Sequence, residues 1–221
     1  MGEYLDVKAN DDLMTTRILG HVDPSCILGN HVIIEVGAVV GRDTRPNRAF
    51  AKDTRPILPP TLIEDDCYIG SCVVIERGAS IGYGSTIEHG AVIESGVQLG
   101  ARSYVVHGAR LLGNAQIGED CVIGGLVADR VVVGARCRVF GSLVHLQDKP
   151  STPWDGTIEA APRLEADVFV GMGARIIGSV LVGRGAYISA NTIVTKDVPA
   201  RHVAIRNNVF VPIDDWEGRL A

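Results

Sequence analysis

At 221 residues and a formal net charge of −5, the chain is long enough for one sizeable domain or two small ones, and its negative balance argues against a general nucleic-acid binder, which carries a basic stripe. Hydrophobic residues make up 46% but aromatics only 5%, with 26 glycines. That suits a core of small aliphatic side chains joined by many tight turns. No run of about 18 apolar residues is present to span a membrane. The start, MGEYLDVKAN, lacks a basic-then-apolar secretory pattern, and Asp6 stands where a myristoylation motif needs Ser or Thr. A cytoplasmic protein is expected.

Along the chain, a first tract places Leu28, Ile34 and Val40 six residues apart. An interruption follows at 46–61 (PNRAFAKDTRPILPPT), carrying Arg48, Lys52 and Arg55. From Ile63 an aliphatic residue then recurs every six positions through Ile69, Ile75, Ile81, Ile87, Ile93, Leu99, Val105, Leu111, Ile117 and Ile123. The fifth position of these hexads is always small or β-branched, from Cys67 and Val73 to Ala115 and Cys121. Side chains alternate across a strand, so first and fifth positions share one face and both point inward. Glycine is frequent at the second position (Gly70, Gly82, Gly100, Gly118, Gly124, Gly171, Gly183), where a turn with φ > 0 is expected. Within this tract His89 and His107 occupy the third, outward position and lie 18 residues apart. That spacing is one full coil, so they should stand one above the other.

Between Ile123 and Val127 the step is four, so the GGLVAD segment must absorb a slip before hexads resume at Val127, Val133 and Val139. The second interruption, 145–163 (HLQDKPSTPWDGTIEAAPR), carries His145, Lys149 and Trp154. A last tract adds Leu164, Val170, Ile176, Val182, Ile188 and Val194. Three hexads close a coil of 18 residues, so the pattern predicts one all-β domain over 1–221, a parallel β-helix of about seven coils with two loop insertions. Long loops inside a repeat array are usually functional. The five cysteines form no CxxC pair and read as packing or free thiols, with no metal site.

The stretch VGMGARIIGSVLVGRGAYISANTIVTKDVPARHV closely resembles the terminal coils of CoA-dependent hexapeptide-repeat acyltransferases, with their IGAGA…VIGAGSVVTKDVP pattern. The wider chain is most similar to the group related to tetrahydrodipicolinate acyltransferases and bacterial sugar acetyltransferases. The resemblance implies a left-handed β-helix, a homotrimer and acetyl-CoA or another acyl-CoA as co-substrate, with the pantetheine arm in a crevice between neighbouring prisms. It implies cofactor-binding roles for Gly173, Ala174, Ala190, Thr195 and Lys196, with help from Arg201 and Arg206. The chain departs from the family where a glycine-asparagine-proline stretch is replaced by VAIRNNV.

Acyl transfer from a thioester to a small-molecule amine or hydroxyl needs a base, and neutral histidine fits near pH 7. His145, at the lip of the second interruption, is the first candidate; His107 and His89 are the alternatives. His21, His31 and His202 have no assigned part. A γ-type carbonic anhydrase shares the prism but needs an H-x4-H pair and a third histidine two coils earlier. Here Glu94, Leu112 and Ser71 stand at those places, so that ligand set is incomplete. A non-catalytic scaffold is the other rival, separated by whether the protein binds acyl-CoA.

Overall fold

A computed structural model describes residues 16–43, 58–146 and 160–215. Most of its strands are two residues long, and each pairs in parallel with the strand one coil away. Thr86–Ile87, for example, lies between Tyr68–Ile69 and Tyr104–Val105. Three sheets of 11, 9 and 8 strands result, forming a triangular prism of about nine turns, the left-handed parallel β-helix. They are called here the first, second and third faces, in the order the chain visits them.

Nine turns exceed the expected seven for two reasons. Arg17–Ile18 and His21–Val22 already pair as strands ahead of Leu28. Each interruption also replaces a single corner, so flanking strands keep their register: Ile27–Leu28 against Leu62–Ile63, and Val132–Val133 against Arg163–Leu164. Both insertions leave the prism at the same edge, between the second and third faces. Arg48, Lys52, Arg55, Lys149 and Trp154 lie outside the described residues.

The first and fifth hexad positions build the core. Ile63, Ile69, Ile75, Ile81, Ile87 and Ile93 are fully buried, and so are Val73, Ala91 and Ala115 from the fifth column. One fifth-position column is polar. The Sγ or Oγ of Cys67, Ser85, Ser103, Cys121 and Cys137 donates to the carbonyl of Gly82, Gly100, Gly118, Gly134 and Glu165 respectively, at 3.1 to 3.3 Å. These cysteines are free thiols, and burial pushes Cys67 up to about 11. A buried hydroxyl or thiol is tolerated because every donor has a partner.

The second-position glycines are explained differently from the expectation. None has a positive φ; that conformation falls two residues later, at Asp66, Cys72, Arg102, Asn114 and Asp120 among others. What excludes a side chain at these glycines is the adjacent coil. A Cβ on Gly118 would lie 2.6 Å from the Ala135 amide nitrogen, and one on Gly100 2.5 Å from that of Glu119.

Glutamate is the other recurrent choice there, with one role. The carboxylates of Glu64, Glu76, Glu88, Glu94 and Glu165 each accept the backbone N–H nineteen residues on, from Tyr83, Ser95, His107, Gly113 and Arg184, at 2.7 to 3.2 Å. Each bond ties a corner to the coil above it.

The C-terminal end is closed rather than left as open strand edges. Val209–Pro212 folds back antiparallel on His202–Arg206 and ends the first face. On the second face, whose last strand is Ile193–Val194, the side-chain oxygens of Asn207 and Asn208 accept the amides of Ile193 and Thr195, both at 2.9 Å. Two asparagines thus stand in for the next strand. They occupy the VAIRNNV stretch that departs from the resembling family.

Candidate active site

The candidate residues fall on different edges of the prism. His89 and His107 follow the strands Thr86–Ile87 and Tyr104–Val105 and project at the edge between the first and second faces. Gly173, Ala190 and Arg206 lie further along that edge. His145 follows Ser142–Val144 on the edge between the second and third faces, where Thr195 and Lys196 also stand, two coils further on. Arg201 is on the remaining edge, and its Nη2 donates to both carboxylate oxygens of Asp214 at 2.8 and 3.0 Å. The Ala174 side chain is fully buried. Its amide bonds to Gly171 and its carbonyl to the Ser142 amide, so both its backbone groups are engaged within the prism.

The histidine pair is the most organised group. The rings stack with centroids 5.4 Å apart and planes 9° from parallel, as one-coil spacing requires. Glu88, which the sequence reading passes over, gathers the surroundings. It accepts the Tyr104 hydroxyl and, at 3.1 Å, the His107 amide, and lies 3.5 Å from His107 Nδ1. The Tyr104 hydroxyl first, and then the His107 amide, holds the Glu88 carboxyl below its usual range. Glu88 is therefore an anion beside His107, able to stabilise an imidazolium there.

Beyond His107 the edge is cut back. Val127 takes the column of Leu111, and Leu143 that of Val127, so inward residues step by four at Ile123 to Val127 and again at Val139 to Leu143. The four-residue step read as a slip is thus half of a repeated feature. The shortened corners are Gly124–Gly125 and Phe140–Gly141, and each has a glycine where there is no room for a side chain. A Cβ on Gly125 would lie 1.8 Å from the Gly141 carbonyl oxygen, and one on Gly141 2.3 Å from that of Ala174. Two coils of retracted corner make a recess about 10 Å tall, with His107 on one rim and exposed Met172 on the other. Phe140, in the second shortened corner, covers Gly124, where an added Cβ would lie 2.8 Å from its ring; it packs at 5.9 Å from Phe169, which stacks on Tyr187 at 4.9 Å.

Gly125 holds, one coil from His107, the corner position whose amide elsewhere bonds a glutamate. The second-position residue before it is Val106, which offers no acceptor. On the other edge, His145 is half-buried, with Nδ1 shielded from solvent. Asn208 holds Thr195 by its amide and by its hydroxyl, each at 2.9 Å.

Known proteins match this arrangement at several levels. The hexapeptide repeat of succinyl-transferase matches residues 60–95 and 163–196. The bifunctional protein GlmU of Geotalea daltonii is 31% identical over 98% of this chain and 47% of its own length. That of Geotalea uraniireducens is 29% identical over 83% and 41% respectively. The chain therefore spans less than half the length of these relatives. Among solved structures, the UDP-N-acetylglucosamine acyltransferase of Francisella novicida superposes with a TM-score of 0.65 at 16% identity, over 90% of this chain and 69% of that one, a likeness of fold.

Proposed function

We propose that this chain, a member of the hexapeptide-repeat acyltransferase family, moves a short acyl group from acyl-CoA, acetyl-CoA in the simplest case, to an amine or hydroxyl of a small-molecule acceptor in the cytoplasm. The observation that carries the reading is Glu88 and the His89–His107 stack at the rim of the glycine-floored recess. With Glu88 beside Nδ1, neutral His107 accepts the acceptor's proton at Nε2 while the acceptor's nitrogen or oxygen attacks the thioester carbonyl. The tetrahedral oxyanion meets backbone N–H donors of the retracted corner, such as Gly125. Its collapse breaks the C–S bond, and the leaving thiolate takes the proton from the imidazolium, so acyl product and CoA leave with His107 neutral again.

Gly173, Ala190 and Arg206 share the His107 edge and support cofactor binding there. Thr195 and Lys196 lie on the next edge, where Lys196 offers a point charge to CoA phosphates. A homotrimer brings one chain's first edge beside a neighbour's second and assembles both halves into one site. The second reading places the base at His145, favoured by its sharing an edge with Thr195 and Lys196.

Acetyl-CoA turnover against a panel of amino-sugar and amino-acid-derived acceptors, with calorimetry of CoA binding, tests this. His107→Asn is expected to lower kcat by about 10²-fold or more with CoA affinity nearly unchanged, while His145→Asn retains most activity. The reverse pattern moves the base to His145. Absence of CoA binding by the unmodified protein overturns the acyltransferase reading.

A further inference from the structure

The third face changes character along its length. Its outward strand residues begin as Ile27 and Leu62 and shrink to Ser80 in the next coil, where the second position is Gly82. Near its start a cavity of about 340 Å³ is lined by Ile27 to Gly29 and Leu62 to Asp65, with Tyr83 at the corner. Ile27 and Tyr83 are 55% and 47% exposed, so the cavity has an apolar floor and an aromatic wall open to solvent.

Its polar lining has one sign. Among the described residues, Glu64 and Asp65 line it and no Lys, Arg or His does. Glu64 Oε2 accepts the Tyr83 amide at 2.7 Å, which fixes the backbone carrying the ring, and a carboxylate keeps acceptor capacity after one such bond. Asp65 accepts the Asn30 amide at 2.7 Å, and that bond, with the Asn30 side chain, holds its carboxyl below the usual range. His31 Nδ1 lies 2.9 Å from Asp66 Oδ1, and after the two Asn30 bonds its ring also helps hold Asp65 below its usual range. Cavities of this size take small ligands. Two carboxylates attract a cation, the Tyr83 ring face does the same, and the aliphatic floor favours an apolar body on that cation.

We infer that this cavity is a binding site for a small organic cation, an ammonium or guanidinium carried on an apolar body, separate from the edge proposed for acyl transfer. It lies on the third face and its corner with the first, away from the His107 recess, so the inference stands whether or not the acyltransferase reading does.

Benzylammonium is the direct probe, with benzyl alcohol and benzoate as neutral and anionic versions of the same ring, each titrated into the full chain by saturation-transfer NMR. Benzylammonium should saturate at a dissociation constant of about 1 mM or below and weaken as salt is added. Benzyl alcohol should bind about tenfold more weakly, and benzoate should not saturate. Asp65→Asn and Tyr83→Ala should each weaken benzylammonium about fivefold or more, with circular dichroism confirming that the variants fold. Glu64→Gln, which keeps an acceptor for the Tyr83 amide, serves as a second charge variant and should weaken it similarly. Equal affinity for benzyl alcohol, wild-type affinity in all three variants, or no saturation up to about 10 mM benzylammonium would each overturn the proposal.

Discussion

At the second hexad position, glycine and glutamate are two answers to one steric fact. Successive coils stack about 4.8 Å apart, so where the next coil crowds the residue beside the inward aliphatic it is glycine, and where glutamate stands there it reaches outward and bonds to the next corner. Gly118→Ala should therefore destabilise the protein by about 1–3 kcal/mol, the range for forced overpacking, read from urea denaturation midpoints. The glutamates make a paired test of opposite sign. Glu88 is held below its ordinary 4.5 by the Tyr104 hydroxyl and the His107 amide, so the stability it lends is present above that value and is lost as pH falls through its lowered value. Glu94 is raised above 4.5, chiefly by burial and then by the Glu76 carboxylate. Its contribution is complete below 4.5 and drains away as pH rises through the raised value. Denaturation at stepped pH should find Glu88→Gln losing ground to the parent between pH 3 and 7, and Glu94→Gln gaining ground over the same window.

At the scale of an element, a corner's length decides what it can do. Six-residue steps fill the prism edge, and the two four-residue steps leave it open beneath His107. Inserting two residues between Gly124 and Gly125 restores the regular step and fills part of the recess. The expected result is a folded β-helix, by circular dichroism, with acyl transfer reduced at least about tenfold, because small misplacements at a reacting centre cost about that or more. The C-terminal cap is a second such element. Asn208→Ala removes two hydrogen bonds to Thr195 and should cost about 1–2 kcal/mol of stability. If Thr195 and Lys196 hold the cofactor, calorimetry should also show weaker CoA binding in this variant.

Over the whole molecule, stability accrues coil by coil, since each turn touches only its neighbours. The ends carry that arrangement's liability, an exposed ladder of strand groups. The antiparallel strand Val209–Pro212 and the two asparagines answer it at the C-terminus. Along the edge from the third face to the first, Arg102 bonds Asp120 and Glu119, Arg136 bonds Asp167, and Arg201 bonds Asp214. Exposed pairs of this kind contribute little stability singly, but their alternating sign penalises a slipped coil. The flat faces carry half-buried Val74, Val106 and Leu112, which a homotrimer would cover. Sedimentation should give three times the 23.5 kDa chain mass, and a monomer at micromolar concentration would remove the shared-site geometry.

The fold was legible because a period of six reports directly on which side chains face inward: Ile63 through Ile123 and the small fifth-position residues define a prism with no three-dimensional information. The His89–His107 stack followed from the same arithmetic, since 18 residues return the chain to one edge. What stayed hidden depends on contacts between coils. The second-position glycines answer to a neighbouring backbone that linear order does not display. Glu88 reaches His107 from nineteen residues away, and the shortened corner at Val139 to Leu143 became distinct only when the strand pairing placed it beside the first. Sequence period alone therefore determined the prism and its inward columns. Only stacking the coils decided where its edge opens, which carboxylate faces the histidine and where the carboxylate-lined cavity forms, because each is set by residues one coil apart in space.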